Sequence, residues 1–321
     1  IGFKLAGDRM IRGGVVDPMP RKKINRILFH HHSLHQKTRF ENETMALDHL
    51  EELRDDFALR GRCEMFRVDL KSMAAAHQLH QGTNLRGHLV WARMTHFQRL
   101  LTIRNVSAPE EDEDILQFFR EHHDPTIFME RHAMKRGEFR KLISPLVRSG
   151  HLVQDYRGGF KAVEPLRDSD LWEVKRDYLR DLVQHYPVIT LKQVERLAGS
   201  PFSAEEISDV MREFEEDGTL IKGFLVDDMH DVCWGRHALL EGTDAITRTR
   251  DLVIPPSDPL IHYFGSLLRE RFGYGSAYLV FHREEPVAAF KANTREGVIH
   301  ITDFVGDSDL EKEALRVMKE F

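Results

Sequence analysis

The chain has 321 residues, of which 41% are hydrophobic and 31% charged, and its formal net charge is −6. This length exceeds one compact core, so two to four modules are expected. No apolar run approaches the roughly 20 residues that cross a bilayer, so we expect neither membrane segments nor a signal peptide.

The two cysteines, Cys63 and Cys233, support neither a disulfide framework nor a thiolate zinc site, and we expect a reducing, cytoplasmic setting. Because the sequence starts at Ile1 and stops at Phe321 inside a predicted helix, we expect a fragment of a longer polypeptide.

The N-terminal part predicts mainly helices. Residues 1–20 have no clear period and predict a linker or an edge strand. Apolar spacing predicts helices over about 24–35, 44–57 and 70–80, and a loose alternation predicts a strand at 87–94. We assign residues 21–110 to one helical, winged-helix-like domain.

Residues 112–163 show a sharper pattern. A helix with apolar residues at 115, 116, 118 and 119 precedes a short helix around 127–134 and a third that runs from Gly137 to Ser149-Gly150. The segments 151–156 and 160–163, joined by a glycine turn, predict a hairpin. Three helices followed by a two-stranded wing is the order of a winged helix, which we assign to residues 111–166.

The same order recurs in residues 167–240. Helices are predicted over 171–185 and 191–198, with a turn and cap at 187–190 between them. A third helix runs from a capping box at Ser203 and Glu206 to Gly218. Strands at 219–226 and 231–234 form a second wing.

Residues 241–251 are a linker, and residues 247–321 predict strands at 277–282, 287–291 and 298–304 and a closing helix from 309. The predicted fold is α+β, with tandem winged-helix domains followed by a small antiparallel β-rich C-terminal module.

Charge is unevenly distributed along the chain. Residues 21–40 have a net charge of +6 and residues 131–150 of +5, whereas residues 203–217 have −6. The local field, rather than the total, decides where a polyanion binds. The candidate DNA-binding residues are Arg21, Lys22, Lys23, Arg26, Lys37, Arg39, Lys135, Arg136, Arg140, Lys141 and Arg157.

The cations of the first winged helix suit double-stranded DNA. In a DNA-bound helix-turn-helix unit, the recognition helix enters the major groove and neighbouring cations contact phosphates. The alternative is a solvated basic face on a protein–protein module. The seven carboxylates at 203–217 would be repelled by phosphates, so we expect that helix to pack against a neighbouring module or to face solvent.

Other chemistry has less support in the sequence. The histidine pairs within 30–35 and at His77 and His80 have helical spacing, but no carboxylate or thiolate lies at a recognisable interval. We therefore expect surface or packing histidines, with no metal and no cofactor. Gly-x-Ser-x-Gly, P-loop and Gly-x-Gly-x-x-Gly motifs are missing from the sequence, which gives hydrolase-triad, kinase, ATPase and dehydrogenase functions no support.

Three stretches resemble the winged-helix DNA glycosylases of the AlkZ/YcaQ type and the related C-terminal region of Lhr-type helicases. The first comprises residues 24–35 with Leu47-Asp-His-Leu-Glu-Glu-Leu. The second is Lys175-Arg-Asp-Tyr-Leu-Arg followed by Tyr186-Pro-Val-Ile-Thr, and the third is Leu252-Val-Ile-Pro-Pro-Ser-Asp-Pro-Leu. Together they span roughly residues 24–305.

The resemblance implies base-excision repair, in which a damaged nucleotide is extruded and its N-glycosidic bond hydrolysed. Where the family has a Gln-x-Gln or Gln-x-Asp pair, this chain has Leu53-Arg-Asp-Asp, so Asp55 and Asp56 are the candidate catalytic residues. The alternative is that these two aspartates only close an exposed helix. Trp91, Arg93 and His96 are the candidate lesion pocket, and the alternative for Trp91 is a core aromatic.

The leading hypothesis is a DNA glycosylase or glycosylase-like module that acts on damaged double-stranded DNA. A second hypothesis is a non-enzymatic winged-helix DNA-binding protein, such as a transcriptional regulator or a docking module of a larger helicase or repair protein. A third treats the winged helices as protein-docking modules, which the acidic helix at 205–217 would suit.

Overall fold

The computed structural model describes residues 18–34, 40–52, 62, 68–227, 231–240, 251–256, 258–295, 298–306, 312 and 316. The chain divides into two compact units. The first comprises Ile1–Arg39, Leu179–Leu197 and Phe202–Phe321, and the second comprises Phe40–Tyr178 and Ala198–Pro201. Among the described residues, none of the helices is long and apolar enough to cross a membrane.

Helices and short antiparallel strands alternate along the chain. In chain order they are α1 (Arg21–His31), α2 (Glu43–Glu52), α3 (Leu70–His77), β1 (His80–Thr83), β2 (Leu89–Ala92), α4 (Met94–Arg104), a 3-10 turn (Glu110–Asp112), α5 (Glu113–Glu121), α6 (Pro125–Arg131), α7 (Arg136–Ser149), β3 (Leu152–Asp155), β4 (Phe160–Ala162), α8 (Leu171–Val183), β5 (Val188–Ile189), α9 (Leu191–Ala198), α10 (Ala204–Glu216), β6 (Leu220–Gly223), β7 (Cys233–Arg236), α11 (His237–Leu240), β8 (Leu252–Ile254), α12 (Leu260–Tyr263), α13 (Gly265–Phe272), β9 (Tyr278–His282), β10 (Glu285–Arg295) and β11 (Val298–Gly306).

The second unit contains a four-stranded sheet that combines two distant parts of the sequence. Its strand order is β2-β1-β3-β4, and all pairs are antiparallel. The β1–β3 pairing sets His80 opposite Asp155 and Gln81 opposite Gln154. The β3–β4 hairpin therefore continues a sheet that begins much earlier in the chain, and its position is fixed by β1.

Aromatic residues form the core beneath this sheet. The apolar face of α5 recurs at helical spacing, and its Phe119 is fully buried against Phe128 of α6, Phe139 of α7 and Phe160 of β4. Asp124 caps α6 by accepting a hydrogen bond from the Thr126 N–H at 2.7 Å. Burial of four phenylalanine rings makes this part of the unit a well-defined platform for α7.

The C-terminal end of α7 is held by a single arginine. Arg104 donates hydrogen bonds to the carbonyl of Ser149 at 3.1 Å, of Thr83 at 2.8 Å and of Asn84 at 2.6 Å. A cation beside the last carbonyls of a helix also interacts favourably with the helix dipole. The orientation of α7 against the end of β1 is thus fixed by contacts at the end opposite its first turn.

The first unit contains two antiparallel sheets, with strand orders β5-β7-β6 and β11-β10-β9-β8. The N-terminal helix α1 packs on the second of these: the ring of Phe29 lies 4.9 Å from that of Phe281 on β9. Phe264 lies 5.0 Å from Phe281 on the same cluster. Phe29 and Phe281 are both fully buried, so α1 and the C-terminal sheet share one core.

The α+β class with antiparallel sheets is confirmed, and some local predictions are corrected. The helix predicted over 70–80 ends at His77, and His80 opens strand β1, because the Gln78 backbone is left-handed and ends the helix. The turn predicted at 187–190 contains the short strand β5. Helices α12 and α13 precede β9 and were not predicted.

The predicted domain boundaries and the tandem winged-helix arrangement stay predictions. Each proposed winged-helix segment does show three helices followed by a strand pair, in the order α5–α6–α7–β3–β4 and α8–α9–α10–β6–β7. The grouping in the structure differs from the predicted 21–110 domain, since α1 lies in the first unit and α2 to α4 in the second. Apart from residues 312 and 316, the predicted closing helix from 309 lies outside the described residues. Of the segment 1–20 predicted as a linker or edge strand, residues 18–20 are described, and Met19 forms an isolated parallel bridge with Val226.

Candidate nucleic-acid interface

Four cationic side chains, the α7 cluster, are exposed at the start of α7: Lys135, Arg136, Arg140 and Lys141. The Glu138 carboxylate beside them accepts the backbone N–H of Lys135 at 2.8 Å. Within the described chain, none of the four forms an ion pair. Positive charge at a helix N-terminus opposes the helix dipole, so the cluster does not stabilise α7. An anion placed there would be attracted both by the side chains and by the dipole.

The tip of the β3–β4 hairpin lies next to the first turn of α7. The ring of Phe139, in that first turn, is 5.8 Å from the ring of Phe160, the residue that follows the tip. The exposed Arg157 at the tip donates from Nε to the Tyr156 hydroxyl at 2.7 Å, and its guanidinium lies 5.1 Å from the centre of the Tyr156 ring. Arg157 lies three residues before Phe160, in the same unit as the α7 cluster.

The basic residues of α1, the α1 cluster, are in different surroundings. The cluster consists of Arg21, Lys22, Lys23 and Arg26. Lys22 Nζ lies 2.8 Å from the carboxylate of Glu285, and Arg26 Nε lies 3.0 Å from the carboxylate of Glu284. Arg21 and Lys23 also have interaction partners. Lys37 and Arg39 lie outside the described residues.

Glu284 lies in the turn between β9 and β10, and Glu285 is the first residue of β10. Glu284 is fully buried, and its backbone carbonyl also accepts a hydrogen bond from the Asn25 amide at 2.9 Å. The hydrogen bond from Lys22 lowers the pKa of Glu285 below its ordinary value. The positive charge of α1 is thus partly neutralised within the first unit, and Arg26 attaches α1 to the C-terminal sheet.

The three candidate lesion-pocket residues lie together where β2 leads into α4. Trp91 is half-buried on β2 opposite Gln81. Arg93 precedes the first residue of α4 and forms an ion pair with Glu51 at the end of α2. His96 lies in the first turn of α4, with its ring 5.9 Å from that of Phe97. The structure brings the three to one junction, and their role in binding a lesion stays a prediction.

The candidate catalytic residues Asp55 and Asp56 lie outside the described residues. Their assignment therefore stays a prediction. Glu51, four residues before Asp55, is the carboxylate that pairs with Arg93.

The histidines of α1 take part in packing. The His31 ring stacks on His185 with 5.8 Å between centres, and His32, fully buried, has Nε2 at 3.2 Å from the His185 carbonyl oxygen. Within the described ranges, no group of three or more His, Cys, Asp or Glu side chains is arranged to hold a metal ion. Cys233 is buried, which raises the pKa of its thiol to about 11.

The acidic helix α10 buries its apolar face and exposes its charges. Ile207, Val210 and Phe214 are buried, whereas Glu205 and Glu216 are exposed. Ser203 and Glu206 form the predicted capping box, with hydrogen bonds of 3.1 and 2.8 Å. Phosphate contacts through α10 would be repelled by these carboxylates.

Sequence reasoning did not single out Tyr156. An aromatic residue directly before Arg-Gly-Gly, in a turn rather than a strand, is the signal that could have identified it. His80, which sequence reasoning considered only as part of a helical pair with His77, lies on β1, and its pKa is lowered by burial and by the neighbouring Lys161. Both residues lie on or beside the sheet that carries the hairpin.

The chain is similar in structure to the Streptomyces sahachiroi DNA glycosylase AlkZ. The TM-score is 0.63, the match covers 93% of this chain and 94% of that chain, and the sequence identity is 12%. At this identity the likeness shows an AlkZ-like fold. No family model and no curated protein matches the chain.

Proposed function

We propose that this chain binds double-stranded DNA through the α7 cluster and the β3–β4 hairpin, and that it is a DNA-repair protein of the glycosylase type. In this proposal α5–α6–α7–β3–β4 acts as a winged helix, with α7 in the major groove and Arg157 on the backbone. The observation that carries DNA binding is the α7 cluster, whose four exposed cations form no ion pair within the described residues.

The exposed charge of these cations supports the proposal. Lys135 and Arg136 lie at the start of the helix, where positive charge is unfavourable, and Arg140 and Lys141 lie one turn further on. A phosphate at this end of α7 would be attracted by all four side chains. The hairpin supplies Arg157 in the same unit. Backbone contacts of this kind fix the position of a protein on the duplex without reading its sequence.

Repair chemistry is supported by the fold. The likeness to a DNA glycosylase extends over nearly the whole of both chains. In the proposed reaction Asp55 and Asp56 orient or activate the water that attacks C1′, and the N-glycosidic bond breaks as the base leaves. Trp91, Arg93 and His96 line the pocket that accepts the extruded base.

Binding is tested by measuring affinity for a duplex against salt concentration. Four or five phosphate contacts predict a slope of about −4 in log K against log salt, and therefore a loss of roughly 10²-fold between about 50 and about 200 mM salt. A flat salt dependence would contradict the proposed interface and would favour a protein-docking role.

Catalysis is tested by incubating the chain with duplexes that carry alkylated bases, uracil or an interstrand crosslink, followed by alkali. Alkali cuts the strand wherever a base has been removed, so strand cleavage at a lesion is the expected result. Salt-dependent binding without cleavage of any lesion would leave a non-enzymatic DNA-binding protein. Full cleavage by an Asp55→Ala, Asp56→Ala double variant would remove only the assignment of these two residues.

A further inference from the structure

We propose that Tyr156, at the tip of the β3–β4 hairpin, inserts its ring into the base stack and occupies the space left by an extruded or missing base. This inference rests on the proposed function, since it requires that the α7 end of the second unit binds duplex DNA. It adds a specific residue and a preferred ligand, namely a duplex with a gap in its stack.

The turn that carries Tyr156 is fixed by Asp155. The Asp155 carboxylate accepts the backbone N–H groups of Arg157 and Gly159, each at 2.8 Å. The backbone of Asp155 and the two glycines adds bonds of 2.8 and 3.1 Å across the same turn. A rigid tip loses little conformational freedom on binding, which favours insertion of a side chain into a defined position.

Steric constraints explain why residues 158 and 159 of this turn are both glycine. Gly158 has φ of +92°, which side chains rarely adopt. A Cβ atom on Gly159 would lie 2.8 Å from the Asp155 carboxylate and 3.0 Å from the His123 carbonyl oxygen. Side chains at these two positions would not fit the turn, so Tyr156 and Arg157 are the two residues among 156–159 that carry side chains.

Tyr156 takes no part in the aromatic core of the unit. The rings of Phe118, Phe119, Phe128, Phe139 and Phe160 contact one another. The hydrogen bond and the cation–π contact that Tyr156 makes in the described chain are both with Arg157. The Tyr156 ring is half-buried and lies outside this cluster of phenylalanine rings.

The pairing with Arg157 suits insertion into DNA. The Nε–hydroxyl bond of 2.7 Å orients the ring, while the guanidinium retains donors for a phosphate next to the gap. Stacking of an aromatic side chain on an exposed base is independent of base identity, because every base has a π face. Tyr156 would therefore recognise the missing stacking partner rather than a particular lesion.

The test compares two fluorescently labelled duplexes of the same sequence, one intact and one with a tetrahydrofuran abasic analogue. The full chain is expected to bind the abasic duplex about tenfold more tightly, because only in that duplex does the Tyr156 ring gain a stacking contact with a base. Tyr156→Ala should abolish this preference while affinity for the intact duplex changes less than about twofold. Tyr156→Phe keeps the ring but loses the hydroxyl that accepts from Arg157, so it should retain part of the preference. Arg157→Ala should reduce the preference, since the ring is then no longer oriented.

Leu89→Ala is the matched control, because it removes an exposed apolar side chain on β2, at the opposite edge of the same sheet. It should leave the preference unchanged. Retention of the preference by Tyr156→Ala, or salt-dependent binding by the wild-type chain without any preference, would overturn the inference but not the proposed DNA binding. Absence of salt-dependent binding to either duplex would overturn both.

Discussion

The α1 cluster and the α7 cluster are equally prominent in the sequence and have opposite surroundings in the structure. The segment with the α1 cluster has a net charge of +6 and the segment with the α7 cluster +5. In α1, Lys22 and Arg26 are paired with Glu285 and Glu284, and Glu284 is fully buried. In α7, the four cations are exposed and form no ion pair within the described residues.

The difference shows why a local charge sum is a poor guide to an interface. The partner of Arg26 lies 258 positions away along the chain, on the turn between β9 and β10. A short sequence window around Arg26 does not contain this partner, and the sheet that delivers it forms only in the folded chain. Positive charge at a helix N-terminus without a partner is the more specific indication of an anion site.

The largest expected effect is on DNA affinity. Replacement of Lys135, Arg136, Arg140 and Lys141 by alanine removes about four phosphate contacts and should reduce the salt slope by about 4. At low salt the affinity for an intact duplex should fall by roughly 10²- to 10³-fold. Fluorescence anisotropy across a salt series measures both quantities.

Arg148→Ala is the control for this change. Arg148 is exposed on the same helix but lies twelve residues from Arg136, or about 18 Å along the axis. Its removal should change the affinity less than about threefold. Equal effects of the quadruple and the control variants would mean that α7 attracts DNA only through general charge.

The next effect is on stability and concerns α1. Arg26→Ala leaves the Glu284 carboxylate buried without its cation and should lower the free energy of unfolding by about 3 kcal/mol. Adding Glu284→Gln to this variant should recover part of the loss, because the buried charge is then removed. Urea denaturation measures these differences, and a loss for Arg26→Ala no larger than that expected for a solvent-exposed ion pair would refute a structural role for the pair.

A smaller effect is expected on the pH dependence of stability of the second unit, which carries the α7 cluster. Burial lowers the pKa of His151, and the nearby Arg104 lowers it further, against a hydrogen bond to the Val106 carbonyl that raises it. His80 and His88 in the same unit also have lowered pKa values, chiefly through burial. The folded state therefore binds fewer protons than the unfolded state, and stability falls as the pH drops below the ordinary histidine value of about 6.5.

Denaturant unfolding at about pH 8 and about pH 5.5 tests this pH dependence. The wild-type chain should be less stable at the lower pH, and His151→Gln should lose less between the two. The glutamine retains polar groups near Ser149 and Val106 but has no proton to gain. An identical pH dependence in both proteins would show that His151 does not contribute.

The smallest effect is expected for Lys22. Its side chain is 42% exposed and that of Glu285 is 59% exposed, so solvent screens the pair. Lys22→Ala should change the free energy of unfolding much less than Arg26→Ala does, as measured by the same urea denaturation. A loss comparable to that of Arg26→Ala would contradict the distinction between the buried and the exposed member of the α1 cluster.

Sequence periodicity predicted the helices and strands whose pattern is contained in their own local sequence. The phenylalanine-rich face of α5, the helix α7 and the glycine turn of the β3–β4 hairpin were all expected from local patterns, as were the C-terminal strands. The capping box at Ser203 and Glu206 was also read directly from the sequence. These features depend on residues within one or two turns of each other.

Features that depend on distant contacts could not be predicted. Strand β1 is short, and its partner β3 begins only at Leu152, so the sequence of β1 resembles the end of a helix. The pairing of Arg26 with Glu284 and the clamp of Arg104 on α7 likewise join residues far apart in sequence. The candidate site was predicted as a set of charges, and the packing of Phe139 on α7 against Phe160 on β4 is visible only in the folded chain.

The pairing of β1 with β3 has a practical consequence for dissecting this protein. A recombinant fragment limited to residues 111–166 would present the unsatisfied edge of β3 to solvent, and such edges recruit other strands. It should therefore self-associate or precipitate, whereas a fragment starting before His80 should stay monomeric. Fragment boundaries for crystallisation or spectroscopy are better set by sheet continuity than by the repeat visible in the sequence.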